Sequence, residues 1–283
     1  MMLDFESAIL TSAEILRPLM PLLIVILGLL VGSFLNVCIY RLAKNESIVY
    51  PNSHCPKCWT RLGVADLFPV ISYIALGGKC RYCARPYSAR YAFVELLTAY
   101  IFFAVYLVCG FNLKLAVYLY LFSVFIVITF IDFDWQIIPD QITLNGIAAG
   151  LFLSYISWLR PDAAALSFYT PLNDSIWGIL SGGGILYSIS VLSGGGMGGG
   201  DVKLAALIGA FLGWKTTLLG LLLACFIGSF FGVAMIVAGF KKRKDCVAFG
   251  PYIAMGTAIV MIIGSGETIN LYFRLVDWMT GAY

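Results

Sequence analysis

Long apolar segments constrain this chain of 283 residues more than any other feature of its sequence. An α-helix needs about 20 apolar residues to cross the hydrocarbon core of a bilayer. The predicted spans are Pro18–Tyr40, Tyr91–Cys109, Leu113–Ile131, Gln141–Leu159, Ser175–Leu192, Lys203–Trp214, Thr216–Phe240 and Val247–Ser265. Charged residues make up only 12% of the chain, whereas a soluble domain has about 25%. We therefore predict an all-α polytopic integral membrane protein with about eight transmembrane helices, of which the sixth is too short to cross alone.

The distribution of Lys and Arg predicts the orientation of these helices. With the N-terminus outside, 13 of the 18 basic residues face the cytoplasm, as the positive-inside rule requires. Four of them, Lys241, Lys242, Arg243 and Lys244, follow the seventh predicted helix. The long segment between the first two helices, residues 41–90, is then a cytoplasmic loop.

Two acid-bearing turns fall on the predicted cytoplasmic side. One ends the third helix at Asp132 and Asp134, and the other is the run Ser193–Lys203, in which six glycines precede Asp201. Glycine can adopt positive φ and lets other backbone approach closely. An ionisable residue beside apolar spans marks a functional site by default, because a charge in hydrocarbon is costly. The alternative is a flexible linker in which Asp201 only caps the next helix.

Paired carboxylates can hydrolyse a peptide bond without a metal or a nucleophilic serine, because they share one proton and divide the roles of base and acid. Asp132 and Asp134 point about 200° apart on a helix, so only one of them can face the bundle interior. Pro139 and Asp140 predict a turn and an N-cap for the fourth helix. The one histidine, His54, lies in the distant loop. From these residues alone, a catalytic pair and two solvated helix-end acids both remain open.

Four of the eight cysteines form two C-x-x-C pairs in the predicted cytoplasmic loop. Such pairs separated by about 20 residues are typical of a tetrahedral Cys₄ zinc ribbon, which is a closed structural site. The predicted ligands are Cys55, Cys58, Cys80 and Cys83. Redox-active cysteines are the alternative. His54 is predicted to be a polar loop residue rather than a further ligand.

These motifs together resemble those of the GxGD intramembrane aspartic peptidases, and the type IV prepilin peptidases in particular. Asp132 stands seven residues before Pro139, as the first catalytic acid does in that family, and Asp201 closes the G-x-G-D signature. The resemblance extends from about Gly32 to Gly256. Its other matching segments are Gly32–Val37, Tyr40–Leu42, Gly78–Arg81, Arg90–Tyr91, Val94–Leu97, Lys203–Leu204 and Phe249–Pro251.

The resemblance implies an enzyme of the bacterial inner membrane that cleaves prepilins or pseudopilins after a glycine. It also implies N-methylation of the new N-terminus with S-adenosylmethionine, for which Glu95 is a candidate residue. Gly198, Gly199 and Gly200 would support the catalytic loop. Lys203 would hold an ionised acid or a substrate carboxylate, unless it only extends to the interface.

Two segments depart from the family pattern, and both lie in the half associated with methylation. They are Asp66–Pro69, where the family commonly has Asp-Asn-Ile-Pro, and Arg90–Ala92, where it has Arg-Tyr-Pro. No strand–G-x-G-x-x-G–helix motif of a Rossmann methyltransferase is present. A monofunctional peptidase without methylation is therefore the nearest alternative.

We predict three parts: an N-terminal segment with the first helix (residues 1–40), the cysteine loop (41–90) and a peptidase domain (91–283). The expected partners are prepilin substrates and the lipid bilayer, and no nucleic acid. Two other classes of protein remain as alternatives. A transporter also uses glycine-broken helices with acids near the bilayer, and a non-catalytic scaffold would explain the zinc ribbon.

Overall fold

The computed structural model describes residues 17–160, 170–240, 242 and 247–280. Lys241, Arg243 and Lys244 of the predicted cytoplasmic face lie outside these ranges. Within the described residues the chain forms nine α-helices, two 3₁₀ turns and two isolated β-bridges, with no strand. The helices are α1 (Met20–Leu42), α2 (Ile71–Ala75), α3 (Arg90–Cys109), α4 (Leu113–Trp135), α5 (Asp140–Leu159), α6 (Leu172–Leu192), α7 (Gly199–Val237), α8 (Gly250–Ile263) and α9 (Ser265–Thr280).

The prediction of an all-helical polytopic membrane protein is confirmed. Six of the described helices are long and apolar enough to cross a membrane, namely α1 and α3 to α7. The pair formed by α8 and the start of α9, bent by 99°, makes a seventh if it is one span. The count is thus six or seven among the described residues, where the sequence predicted about eight.

The difference in number arises in α7. This helix has 39 residues, which at about 1.5 Å per residue is nearly twice the hydrocarbon thickness. It is broken at Gly213, whose φ of 74° and ψ of 174° are not helical. The predicted sixth and seventh spans are therefore the two arms of one bent helix, and only glycine adopts this backbone conformation without strain.

The chain divides into two compact units. The first unit contains α1 up to Arg41, the loop that begins at Glu46, α3 and the part of α4 up to Ile126. The second contains Leu42–Asn45, the rest of α4 from Val127, and α5 to α9. The division of the chain at residues 41 and 91 stays a prediction.

In the first unit, α1 and α3 approach closely through small residues. A Cβ added to Gly32 would lie 2.7 Å from Cα of Glu95, and one added to Gly28 would meet the backbone of Ala99. Nearer the end of α1, Nδ2 of Asn36 donates to the carbonyl oxygen of Tyr91 at 3.0 Å. Small residues that let backbones meet are the usual basis of helix packing in membranes.

In the second unit, α6 and α7 pack through glycine against glycine. A Cβ on Gly178 would overlap the backbone of Gly209, and a Cβ on Gly182 would lie 2.9 Å from the carbonyl oxygen of Ala205. The buried hydroxyl of Ser175 donates to the carbonyl oxygen of Ala210. Because lipid is as apolar as these side chains, such close backbone packing and hydrogen bonding hold the bundle together.

Replacing Gly178 with Ala should destabilise the second unit, because the new methyl group has no space against the backbone of Gly209. Overpacking of this kind costs about 1–3 kcal/mol. Gly184→Ala is the matched control, since it lies in the same helix and a Cβ there has nothing within 4 Å. Thermal unfolding of both variants in detergent measures the effect, and equal stabilities would contradict this account of the packing.

Candidate active site

The first candidate acid, Asp132, lies in the last turn of α4. It is buried, with 5% of its surface exposed, whereas Asp134 is exposed. The prediction that only one of these two acids can face the interior is therefore confirmed, and the buried one is Asp132. The helical period separates the two side chains, because residues two apart lie on nearly opposite faces of a helix.

The Asp132 carboxylate binds the start of another helix. Its Oδ2 accepts a hydrogen bond of 3.0 Å from the backbone N–H of Gly250, the first residue of α8. The first N–H groups of a helix have no partner within the helix, and a negative charge there is also favoured by the helix dipole. Gly250 has to be glycine for this approach, since a Cβ would lie 2.8 Å from the same oxygen. From the sequence, Gly250 was recognised only as part of a segment that matches the family, and its contact with Asp132 was not predicted.

The second candidate acid, Asp201, lies in the first turn of α7 and is also buried, with 9% exposed. Gly198 occupies the N-cap position of this helix with φ −66°. The positive φ values expected of the glycine run occur earlier, at Gly194 (63°) and Gly195 (90°). The run thus has two parts: the first glycines form a turn, and the last ones begin the helix.

The glycines nearest Asp201 differ in what surrounds them. A Cβ on Gly200 would lie 2.8 Å from Cβ of Ile138, whereas a Cβ on Gly199 would have nothing within 4 Å. A Cβ on Gly198 would lie 3.4 Å from Oδ2 of Asp201. Close approach of Ile138, rather than an unusual backbone angle, is therefore the reason for glycine at position 200.

Ile138 connects the segments that carry the two acids. Its side chain lies against Gly200, and its Cδ1 would lie 3.1 Å from a Cβ on Gly250. Gly250 in turn donates to Asp132. Gly200 directly precedes Asp201 in the first turn of α7. The end of α4, the start of α7 and the start of α8 thus form one buried cluster containing both acids.

Lys203 forms an ion pair with Asp140 and not with either buried acid. Its Nζ donates to Asp140 Oδ1 at 2.6 Å, and the two side chains are 39% and 57% exposed. Pro139, not Asp140, occupies the N-cap position of α5, so the predicted capping role of Asp140 is wrong. A carboxylate in the first turn is still favourable. A pair as exposed as this one contributes at most about 1 kcal/mol.

The four predicted metal ligands lie together in the loop of the first unit. The Sγ atoms of the four cysteines are all within 4.8 Å of one another, and those of Cys55 and Cys83 are 4.0 Å apart. A tetrahedral zinc with Zn–S bonds of about 2.3 Å requires sulfur atoms about 3.8 Å apart, so the arrangement fits such an ion. Hydrogen bonds from Thr60 lower the pKa of the Cys58 thiol to about 6.

Each cysteine pair lies in a small hairpin. The bridge between His54 and Arg61 closes the first hairpin, and the bridge between Lys79 and Pro86 closes the second. The His54 ring stacks on Trp59 with ring centroids 4.8 Å apart, and its Nδ1 lies 3.1 Å from the carbonyl oxygen of Asn52. His54 is thus engaged within the loop, as the sequence predicted.

Asp66 connects the second cysteine hairpin to the rest of the loop. Its carboxylate accepts hydrogen bonds from Nε of Arg81 at 2.6 Å, from the Tyr82 hydroxyl at 3.1 Å and from the backbone N–H of Gly63 at 3.0 Å. The hydrogen bond from Arg81 lowers the pKa of Asp66. In the sequence, Asp66 stood out only as the first residue of a segment that departs from the family pattern. Its spacing from other residues did not indicate its hydrogen-bond partners.

Glu95, the methyl-transfer candidate, is buried near the start of α3, with 8% of its surface exposed. Its Oε2 accepts a hydrogen bond of 2.8 Å from the backbone N–H of Val70. Val70 has a φ of 59°, which is unusual for a β-branched residue. Glu95 therefore holds a turn of the loop against α3, and its part in methyl transfer stays a prediction.

The two halves of the chain match two family models. Residues 26–109 match the bacterial peptidase A24 N-terminal domain, and residues 119–233 match the type IV leader peptidase family. No solved structure matches the chain.

Three relatives named prepilin leader peptidase/N-methyltransferase show how far the similarity extends. The Aeromonas salmonicida protein is 33% identical over 278 residues, which cover 87% of this chain and 91% of the relative. The Myxococcus xanthus protein is 39% identical over 222 residues, which cover 78% of this chain and 64% of the relative. The Bacillus subtilis protein is 31% identical over 250 residues, which cover 88% of this chain and 96% of the relative. The resemblance found in the motifs is confirmed, and the chain belongs to the type IV leader peptidase family.

Proposed function

We propose that this protein cleaves the leader peptide of prepilins or pseudopilins, with Asp132 and Asp201 as the catalytic pair. The similarity to proteins named prepilin leader peptidase/N-methyltransferase supports the reaction. The observation that carries the choice of residues is the burial of both acids in one cluster around Ile138 and Gly250. Two carboxyl groups held in one buried cluster are suited to share a proton.

The shared proton divides the roles of the two acids. The ionised carboxylate removes a proton from a water molecule, whose oxygen attacks the carbonyl carbon of the scissile bond, while the protonated acid donates to the carbonyl oxygen. In the second step the C–N bond breaks as the nitrogen takes up a proton and the new carboxyl group forms. The hydrogen bond from Gly250 orients the Asp132 carboxylate for this chemistry.

The substrate is a peptide with a basic leader, a glycine before the scissile bond and an apolar helix that follows. That helix has to unwind at the scissile bond, because a helical carbonyl already accepts a hydrogen bond. The exposed glycine turn around Gly194 and Gly195 offers backbone groups to an extended peptide, in one of the recurring modes of peptide recognition. We propose that the site faces the cytoplasm at the inner membrane, where the basic leader would lie. The distribution of Lys and Arg along the chain supports this orientation, with the N-terminus of the enzyme outside.

The second activity is N-methylation of the new N-terminus with S-adenosylmethionine, as the names of the relatives suggest. We assign it to the part of the chain that contains the cysteine loop, with Glu95 as the candidate residue. Cys55, Cys58, Cys80 and Cys83 would hold one zinc ion, which with four thiolate ligands keeps the two hairpins together. A peptidase without methylation is the remaining alternative, because both departures from the family pattern lie in this part.

Asp132→Asn and Asp201→Asn should each reduce cleavage by about a hundredfold or more, since an amide cannot take or give the shared proton. The side-chain amide oxygen at position 132 can still accept from Gly250, so the contact with α8 is retained. Asp134→Asn is the control and should keep nearly full activity, because Asp134 is exposed. Mass spectrometry of a prepilin-like peptide incubated with the purified enzyme measures cleavage, and full activity in either of the first two variants would refute the pair.

Gly200→Ala should lower cleavage by about a hundredfold, since displacing a catalytic group by about 1 Å can have this effect. The new methyl group would lie 2.8 Å from Cβ of Ile138 and push apart the segments that carry the acids. Gly199→Ala is the neighbouring control, because a Cβ at that position meets nothing within 4 Å. The measurement is the rate of peptide cleavage by each variant. Similar rates for the two variants would show that the contact between Gly200 and Ile138 does not position Asp132 and Asp201.

The purified protein should contain about one zinc ion per chain, because its four clustered thiols match a tetrahedral site. Cys58→Ser and Cys83→Ser should lose the metal, whereas Cys225→Ser, in α7, should retain it. Elemental analysis measures zinc, and mass spectrometry of the processed peptide follows cleavage and methylation together. Cleavage should persist without zinc, since the carboxylate pair needs no metal. A wild-type protein that binds no zinc, or a Cys58 variant that keeps it, would contradict the assignment.

A further inference from the structure

We propose that the segment Val64–Ala75 lies on the anionic membrane surface, with its apolar side chains among the lipid headgroups. We call it the interfacial segment. It consists of the 3₁₀ turn Val64–Asp66, a short connection through Pro69 and Val70, and helix α2. Its role is to attach the cysteine loop to the bilayer, which is separate from the cleavage reaction.

The first observation is the exposure of large apolar side chains along this segment. They lie on two short helical turns and on the connection between them. The exposed fractions are 79% for Val64, 40% for Leu67, 53% for Phe68, 66% for Ile71 and 73% for Ile74. A surface in contact with water rarely carries so many apolar side chains in one short stretch.

The second observation is the depth at which the segment is held. Val70 donates its backbone N–H to Glu95 at 2.8 Å. Glu95 is the sixth residue of α3, which is long and apolar enough to cross the membrane. At 1.5 Å per residue it lies about 8 Å along the helix from Arg90. Val70 is therefore level with the first turns of a membrane-crossing helix, where its apolar neighbours would meet lipid.

Aromatic contacts hold the other side of α2 against the same end of α3. The ring centroids of Tyr73 and Tyr87 are 5.3 Å apart, and those of Tyr87 and Tyr91 are 6.0 Å apart. Tyr91 is the second residue of α3. The Tyr73 side of α2 is therefore packed within the first unit, while Ile71 and Ile74 remain exposed.

The positive charge of the loop favours an anionic membrane surface as the binding partner of the interfacial segment. Residues 41–90 carry eight Lys and Arg but only two acids, Glu46 and Asp66, and Asp66 is paired with Arg81. Lys57, Lys79 and Arg85 are exposed. An anionic leaflet attracts basic residues close to its surface. Apolar side chains at headgroup depth beside an excess of positive charge are the combination that binds a membrane surface.

The test uses the full-length protein in liposomes of phosphatidylethanolamine and phosphatidylglycerol. The photoreactive residue p-benzoylphenylalanine replaces Ile74 in one variant and Phe68 in a second, where it is close in shape to the native side chain. The control position is Trp59, which is 74% exposed but lies in the first cysteine hairpin, whose backbone hydrogen bonds remain within residues 53–62. Mass spectrometry after illumination identifies what each position has captured.

We expect several-fold more lipid adduct at positions 68 and 74 than at position 59. Replacing phosphatidylglycerol with phosphatidylcholine should reduce these adducts several-fold. Equal lipid capture at all three positions, or capture of a second copy of the chain at positions 68 and 74, would overturn the proposal. An unchanged yield in the neutral liposomes would overturn its electrostatic part. Cleavage activity plays no part in the readout, so the result is independent of the catalytic assignment.

Discussion

The arrangement of the second unit depends on how it accommodates buried carboxyl groups within an apolar bundle. A charge in such surroundings is costly unless it is hydrogen-bonded or shares its proton. Asp132 meets this requirement with the backbone N–H of Gly250 at the start of α8. A helix N-terminus supplies an unpaired donor and a favourable dipole at once. The same contact that makes the buried acid tolerable therefore also holds the start of α8 against the end of α4.

Glycine serves three different purposes in this chain, and each has its own physical reason. At Gly178 and Gly209 it allows two helices to meet backbone to backbone. At Gly213 it permits a non-helical turn in the middle of a helix. At Gly200 it leaves space for the side chain of Ile138. The structure separates these roles, although in the sequence all of these positions look alike as glycines among apolar residues.

Buried or nearly buried acids also organise the first unit, where they bind backbone and side-chain donors. Glu95 holds the Val70 turn against α3, and Asp66 connects Gly63 with Arg81 in the second cysteine hairpin. Both are carboxylates that join segments distant in the sequence. The cysteine cluster is thereby linked through its surrounding loop to a helix that crosses the membrane.

The sequence by itself determined the membrane class, the grouping of the four cysteines and the fact that only one of the two acids ending the third predicted helix can face inward. Each of these follows from a local pattern: segment length, C-x-x-C spacing or the helical period. Tertiary structure alone decided that Gly250 binds Asp132, that Lys203 pairs with Asp140 and that Glu95 holds Val70. These partners are 118, 63 and 25 residues apart. Periodicity describes which face of one helix a residue occupies, but which helices then meet depends on packing between segments that no local pattern describes.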